Sequence, residues 1–162
     1  DLQEQYSFAL IAAQLLISIL CIRVHGSVVI KLFDVQTLPT IQLIIFTRTF
    51  FRESWLIKPK NSRPANSEKY LICSDFQGGD TAPISNLLNR ILHLGNRYVH
   101  DIGINCNTSF FELYYNEYSS KQLYYIKKII LGCKHGKKDL EQFLKKLSTE
   151  TSRNYVNLLQ LT

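Results

Sequence analysis

Residues 58–73 read KPKNSRPANSEKYLIC. The stretch falls in two halves. Lys58 to Ser67 is polar, basic and broken by two prolines, and Lys69 to Cys73 is short, apolar and rich in strand-forming residues. A basic Ser/Asn/Pro loop that feeds a strand offers hydroxyls, amides and cations, all of which suit phosphate and ribose oxygens. Glu68 is the one acid in the loop, at the point where it meets the strand. The plainer alternative is a solvated loop before an ordinary strand.

Upstream of the loop, residues 2–22 are Leu/Ala/Ile-rich without Gly or Pro and apolar on nearly every side beyond Tyr6. This pattern predicts a helix covered on several sides. Its most apolar run, Phe8 to Ile22, is interrupted by Gln14 and is shorter than a membrane span. No basic segment precedes it, so neither a signal peptide nor a membrane association is expected. Gly26 breaks the pattern, and Ser27 to Phe33 (SVVIKLF) reads as a strand buried on both sheet faces, with Lys31 its exception. Thr37 and Pro39 are start signals for a second helix reaching about Arg52. Ser54 to Ile57 is a second strand and Lys69 to Ser74 a third. The loop between these two is too short for a packed crossover helix, so one of them is expected to run antiparallel to the rest. Helix, strand, helix, strand, loop, strand is the order of half an α/β sheet.

Downstream, QGGD at 77–80 marks a boundary. Beyond it Ile84, Leu87, Leu88, Ile91 and Leu92 follow helical spacing, as do Leu123, Ile126 and Ile130, with Gly132 as a C-cap. Leu140, Phe143, Leu144 and Leu147 make a third stripe; Tyr155, Leu158 and Leu159 make a weaker fourth. Phe110 to Tyr118 is aromatic-rich and compatible with helix or extended chain. Residues 78–162 are thus expected to be a mainly helical extension of 1–77.

The 162 residues carry a formal charge of +6 and a pI near 9.2, which favour an anionic partner without specifying a fold. Cys21, Cys73, Cys106 and Cys133 form no CxxC pair and read as buried thiols in a reducing, intracellular compartment rather than a disulfide framework. Asn107-Thr108-Ser109 fits a glycosylation acceptor, a tripeptide common by chance. The histidines His25, His93, His100 and His135 have no metal-ligand spacing, and no metal is expected. There is no GxGxxG, P-loop or GxSxG.

Three features could carry chemistry. A lysine inside a buried strand is costly unless it is paired or reaches a cleft, and burial beside other cations would lower the pKa of Lys31 and make it a base. The alternative is a strand-end lysine extending to water. If the third strand pairs antiparallel with the first, Glu68 and Lys31 meet at one sheet edge, the edge where open α/β sheets bind ligands. That pair is then either a structural salt bridge or half of a catalytic group. Lys58, Lys60, Arg63 and Lys69 could track a phosphate backbone or form a solvated face. Lys127, Lys128, Lys134, Lys137 and Lys138 add positive charge further on.

Ser62-Arg63-Pro64-Ala65-Asn66-Ser67-Glu68, followed by Lys69-Tyr70 and a short apolar strand, resembles the signature near the end of the FtsJ-like cap ribose 2′-O-methyltransferases. Leu2-Gln3-Glu4 is similar to the start of the helix after that family's fourth strand, and Val29 to Asp34 to its next strand. The spacings from Leu2 to Lys31 and from Lys31 to Glu68 match the cap-1 enzymes without a gap. The resemblance implies an α/β fold: the C-terminal half of a Rossmann-like methyltransferase sheet with an antiparallel last strand, followed by the helical extension.

It also implies that Lys31 and Glu68 match the second lysine and the glutamate of a Lys-Asp-Lys-Glu tetrad. Lys31 would help deprotonate a ribose 2′-hydroxyl and Glu68 would orient it. Lys58, Lys60, Ser62, Arg63, Asn66 and Ser67 would face RNA and the capped 5′ end of mRNA. The family's first lysine, its aspartate and its glycine-rich loop for S-adenosylmethionine are expected upstream of residue 1, on a missing N-terminal half or a partner subunit. Asp1 is not the tetrad aspartate. The rival reading is an inactive RNA-binding or scaffolding subunit with a degenerate methyltransferase fold.

Overall fold

The structure is a computed structural model that describes residues 2–59, 62–63, 65–94, 99–133, 142, 145–146 and 158–160. In chain order the elements are α1 (Leu2–Cys21), β1 (Val28–Leu32), α2 (Leu38–Arg48), β2 (Phe51–Ile57), β3 (Lys69–Phe76), α3 (Ala82–Leu94), α4 (Ser109–Cys133) and β4 (Leu158–Gln160). The fold is mixed α/β. The strands form one sheet in the order β1-β3-β2-β4. β3 runs antiparallel to both β1 and β2, as the short polar connection required.

Alternation along the strands gives the sheet two unlike faces. Leu32, Leu56, Leu71 and Cys73 lie on the covered face and join Phe8, Leu15, Ile19, Leu43 and Ile44 in one apolar cluster. Ile84, Leu87 and Ile91 of α3, with Ile102 and Phe111 beyond it, belong to the same cluster. The opposite face carries Val29, Lys31, Trp55, Ile57, Tyr70 and Ile72, none of them buried.

Several expectations are corrected by the structure. Of the four cysteines only Cys73 is buried, whereas Cys21 and Cys133 are exposed. β1 is not buried on both faces: it is an edge strand, and Val29 is 59% exposed. Nor is α1 covered on several sides. Glu4, Phe8, Ile11, Leu15 and Ile19 pack inward, while Tyr6, Leu10 and Ile17 are exposed. The helix is also longer than its most apolar run, and Gln3–Cys21 is long and apolar enough to cross a membrane by length and composition. Gly26 fits the turn after it because a Cβ there would meet the Arg23 carbonyl oxygen at 2.8 Å.

α2 ends at Arg48 rather than Arg52. Thr49 closes it, its hydroxyl and backbone N–H both donating to Phe46 O, and the aromatic Phe51 already belongs to β2. The 109–133 region is one helix. The side it buries is aromatic, Phe111, Tyr118 and Tyr125, while Leu123 and Ile130 of the expected stripe face solvent. Residues seven apart lie two turns along one helix face, so this aromatic triplet defines the packing side. α4 includes Gly132, so that glycine is not the first residue beyond it. Asn107, in the acceptor tripeptide, takes bonds from the Ser109 N–H and hydroxyl at the start of α4. Leu158 and Leu159 are not helical: they pair with Ile57 and Leu56, filling hydrogen bonds along the outer edge of β2. The stripe at 140–147 and Tyr155 lie outside the described residues.

Candidate functional site

The antiparallel register places Lys31 directly opposite Tyr70. Glu68 precedes Tyr70 by two residues, so it is on the same, open face and diagonal to Lys31. Lys31 Nζ stands 3.0 Å from Glu68 Oε1, with the lysine side chain 50% exposed and the carboxylate 18%. The sheet-edge meeting expected from sequence therefore forms. Tyr70 completes it, its hydroxyl donating to Glu68 Oε1 at 2.7 Å. The other carboxylate oxygen accepts from Ser62 Oγ and Asn66 Nδ2, both at 3.3 Å. Asn66 Oδ1 in turn accepts the Glu68 backbone N–H at 3.0 Å, an Asx turn that fixes where the glutamate leaves the loop.

The electrostatics follow from these contacts. The Tyr70 hydroxyl, then the Lys31 ammonium, hold the Glu68 carboxyl below its ordinary pKa. The Glu68 hydrogen bond raises Lys31 above the usual lysine value. This corrects the expectation of a lysine depressed by burial. Lys31 is on the open face, and its nearest charged neighbour is an anion. Tyr70 is raised by donating to that anion.

Behind this layer, on the covered face, lies a second one. Lys58 and Lys69 are both buried. Lys58 Nζ donates to Asn66 O at 2.5 Å, Glu68 O at 3.2 Å and Ser62 Oγ at 3.3 Å. Desolvation, then the Lys69 charge, lower its pKa to about 8. Lys69 Nζ pairs with Asp34 Oδ1 at 2.7 Å, and burial lowers its pKa despite that partner. The Tyr118 ring of α4 lies 4.1 Å from Lys69 Nζ and 5.6 Å from Lys58 Nζ. Asp34 also accepts from Val35 N and the Gln36 side chain, and Glu4 reaches from α1 to the backbone N–H groups of Gln36 and Thr37 before α2. The Glu4 carboxylate at that helix start satisfies donors that no helical carbonyl could reach.

Of the residues singled out as RNA-facing, Arg63 is exposed, and Ser62, Asn66 and Ser67 are partly so. Lys58 instead braces the loop from within, because its ammonium is taken up by loop carbonyls. Lys60 lies outside the described residues, as do Lys134, His135, Lys137 and Lys138. Sequence reasoning missed Tyr70 as the carboxylate's donor, although its place opposite Lys31 follows from the register. It also missed Tyr118, for which the only signal was the seven-residue aromatic spacing.

Residues 1–76 match the FtsJ-like methyltransferase family. The cap-specific mRNA (nucleoside-2′-O-)-methyltransferase of Autographa californica nuclear polyhedrosis virus is 42% identical over 71 residues, 44% of this chain and 27% of that protein. Cap-specific mRNA (nucleoside-2′-O-)-methyltransferase 1 of Drosophila melanogaster is 37% identical over 92 residues, 56% of this chain and 12% of that protein. The protein named inactive cap-specific mRNA (nucleoside-2′-O-)-methyltransferase 1B of Caenorhabditis briggsae is 33% identical over 91 residues, 56% and 11% respectively. The chain thus spans well under two thirds of the length of each. Over residues 1–76 this chain is similar to the FtsJ-like methyltransferases, and the proteins it resembles there are cap-specific mRNA (nucleoside-2′-O-)-methyltransferases.

Proposed function

We propose that the chain is the C-terminal part of an S-adenosylmethionine-dependent mRNA cap ribose 2′-O-methyltransferase. Residues 1–77 are then the C-terminal half of its Rossmann-like domain and 78–162 a mainly helical extension. The observation that carries this reading is the 3.0 Å Lys31–Glu68 contact, made by the two residues that match the family's lysine and glutamate. Glu68, held by Tyr70, Ser62 and Asn66, orients the ammonium on the open face at the sheet edge. Arg63, Ser62, Asn66 and Ser67 surround that edge with phosphate- and ribose-binding groups for the capped mRNA 5′ end.

As the pair stands, Glu68 favours the charged lysine, which donates to a 2′-hydroxyl oxygen rather than accepting its proton. A second cation beside Lys31, the role of the family's other lysine, lowers its pKa and lets it take the proton. The cleft of about 360 Å³ between α1 and β1 does not fit S-adenosylmethionine: lined by Ser18, Cys21, Ser27 and Val29 among others, it carries no charged side chain for the cofactor's amine and carboxylate. The cofactor and the rest of the tetrad belong to an N-terminal half or a partner subunit.

The second reading is an inactive RNA-binding or scaffolding subunit. The Caenorhabditis briggsae relative named inactive favours it, since it matches over a similar length. The test is Lys31→Ala in the protein complete with its cofactor-binding part. Methyl transfer to capped RNA should fall by on the order of 10²-fold or more, with RNA binding largely spared. Unchanged turnover in the variant excludes the catalytic role, and absence of turnover in the parent protein favours the scaffold.

A further inference from the structure

Outside the pair itself, the glutamate is placed by the 62–68 loop, and that loop is held by α4. The Tyr118 hydroxyl donates to Asn66 O at 2.9 Å, sharing that carbonyl with Lys58 Nζ. Gln122, one turn on, donates from Nε2 to Ala65 O at 3.1 Å. Tyr118 is only 3% exposed, and its ring faces both buried ammonium groups that grip the loop and the start of β3. A ring face at such distances stabilises a desolvated cation, which lets Lys58 and Lys69 remain buried beside each other. Both donors act on consecutive carbonyls, those of Ala65 and Asn66, immediately before the Asx turn from Asn66 to Glu68. The line of contact is therefore continuous from α4, through Tyr118 and Asn66, to Glu68 and Lys31. It begins beyond the 1–76 segment that matches the family.

We propose that Tyr118, assisted by Gln122, is a positioning residue for the Lys31/Glu68 site: α4 sets the loop conformation that aims the Glu68 carboxylate at the Lys31 ammonium. The proposal deepens the methyltransferase reading and rests on it for its kinetic consequence, but not for its geometric one. It gives the 78–162 segment a task in the site itself. Tyr118 acts through the Asn66 carbonyl that its hydroxyl holds. Small displacements of such a group reach the reacting atoms through the residue it holds.

Two measurements test it. In the complete protein, Tyr118→Phe keeps the ring and loses the donor, Gln122→Ala loses the second donor, and Tyr118→Leu loses ring and donor together. The expected result is a fall in kcat of a few-fold for the first two and on the order of 10-fold or more for the last, with KM for capped RNA nearly unchanged. Tyr118→Phe, the conservative variant, should recover most of what Tyr118→Leu loses. The second readout is the NMR titration of the Glu68 carboxyl, which does not depend on turnover. Its apparent pKa should rise in Tyr118→Leu as Asn66, Ser62 and Lys31 lose their alignment on it. A Glu68 titration and a kcat both unchanged in a folded Tyr118→Leu overturn the proposal. Should that variant not fold, an unchanged titration and kcat in Tyr118→Phe combined with Gln122→Ala overturn it instead. A protein in which Lys31→Ala turns over normally would refute the catalytic reading alone, and the Glu68 titration would still decide the positioning.

Discussion

Lys69 and Asp34 form an ion pair with both side chains out of water: Nζ is 2.7 Å from Oδ1, and the side chains are 2% and 4% exposed. Their roles are not symmetrical. Asp34 has other donors in Val35 N and Gln36, whereas the remaining contacts of the Lys69 ammonium are Ser67 O and the Tyr118 ring. Asp34→Ala strands a buried cation and should cost about 3–5 kcal/mol. Lys69→Met leaves a carboxylate that still has partners, and it should cost distinctly less. Urea unfolding of the two variants checks the order, and equal costs would show that the carboxylate's other donors do not compensate.

The Lys31–Glu68–Tyr70 cluster predicts a share of the acid limb of stability. The folded state holds Glu68 below its ordinary carboxyl value of 4.5. The stabilisation is therefore present above that value and is lost as pH falls through the lower folded one. Asp75, lowered by His25, and Asp101, lowered by the Gly103 N–H and Gln42, add to the same limb. Glu68→Gln should be destabilised relative to the parent at about pH 6, with the gap closing as pH falls below the ordinary carboxyl value and through the lower folded one. In the same variant the Lys31 ammonium should titrate at a lower pH, because its hydrogen bond to the carboxylate is gone. A gap that stays constant with pH would mean the glutamate's charge contributes nothing to folding.

What the sequence made legible, and what it hid, follow from range. The order of elements up to Phe76, the antiparallel third strand and the Lys31/Glu68 meeting are consequences of local pattern and of one short connection. In the sequence Lys58 and Lys69 look like phosphate-tracking or solvated charge, because lysines are rarely buried. Their burial depends on Tyr118 and Asp34, remote in sequence from the loop. β1 read as doubly buried because VVIKL is apolar whichever face is covered, and periodicity does not count neighbouring layers. The strand at Leu158–Gln160 is too short to carry a pattern of its own, and the vacant edge of β2 decides its state.

Thr47 offers a test of core polarity. It is fully buried, and among the described residues its hydroxyl is the one buried side-chain group without a hydrogen-bond partner. Burying an unsatisfied hydroxyl costs about 1–3 kcal/mol. Thr47→Val keeps the branched shape on α2 and removes the oxygen. The midpoint of thermal unfolding should rise by several degrees for about 1 kcal/mol gained. A fall would show that the hydroxyl is satisfied in solution, with ordered water the obvious partner.

Alkaline stability should rise before it levels. Lys58 titrates at about 8 in the folded protein against an ordinary 10.5. Between these values the unfolded chain binds the additional proton, so stability increases with pH, by up to about 1.4 kcal/mol per pH unit for one proton. Lys69, also lowered, acts in the same direction. Cys106, raised by burial, and Cys73 oppose them. Burial pushes the Cys73 thiol from 9.0 up to about 11, so the unfolded chain loses that proton first and stability declines through this range. Denaturation profiles should therefore show stability climbing from about pH 8 to 9 and levelling above it. Cys73→Ala should extend the climb towards 10.5, whereas Lys58→Met should abolish most of it. A parent protein whose stability falls steadily from pH 8 would show that the Lys58 ammonium is solvated, and that the 58–68 loop is not braced from within.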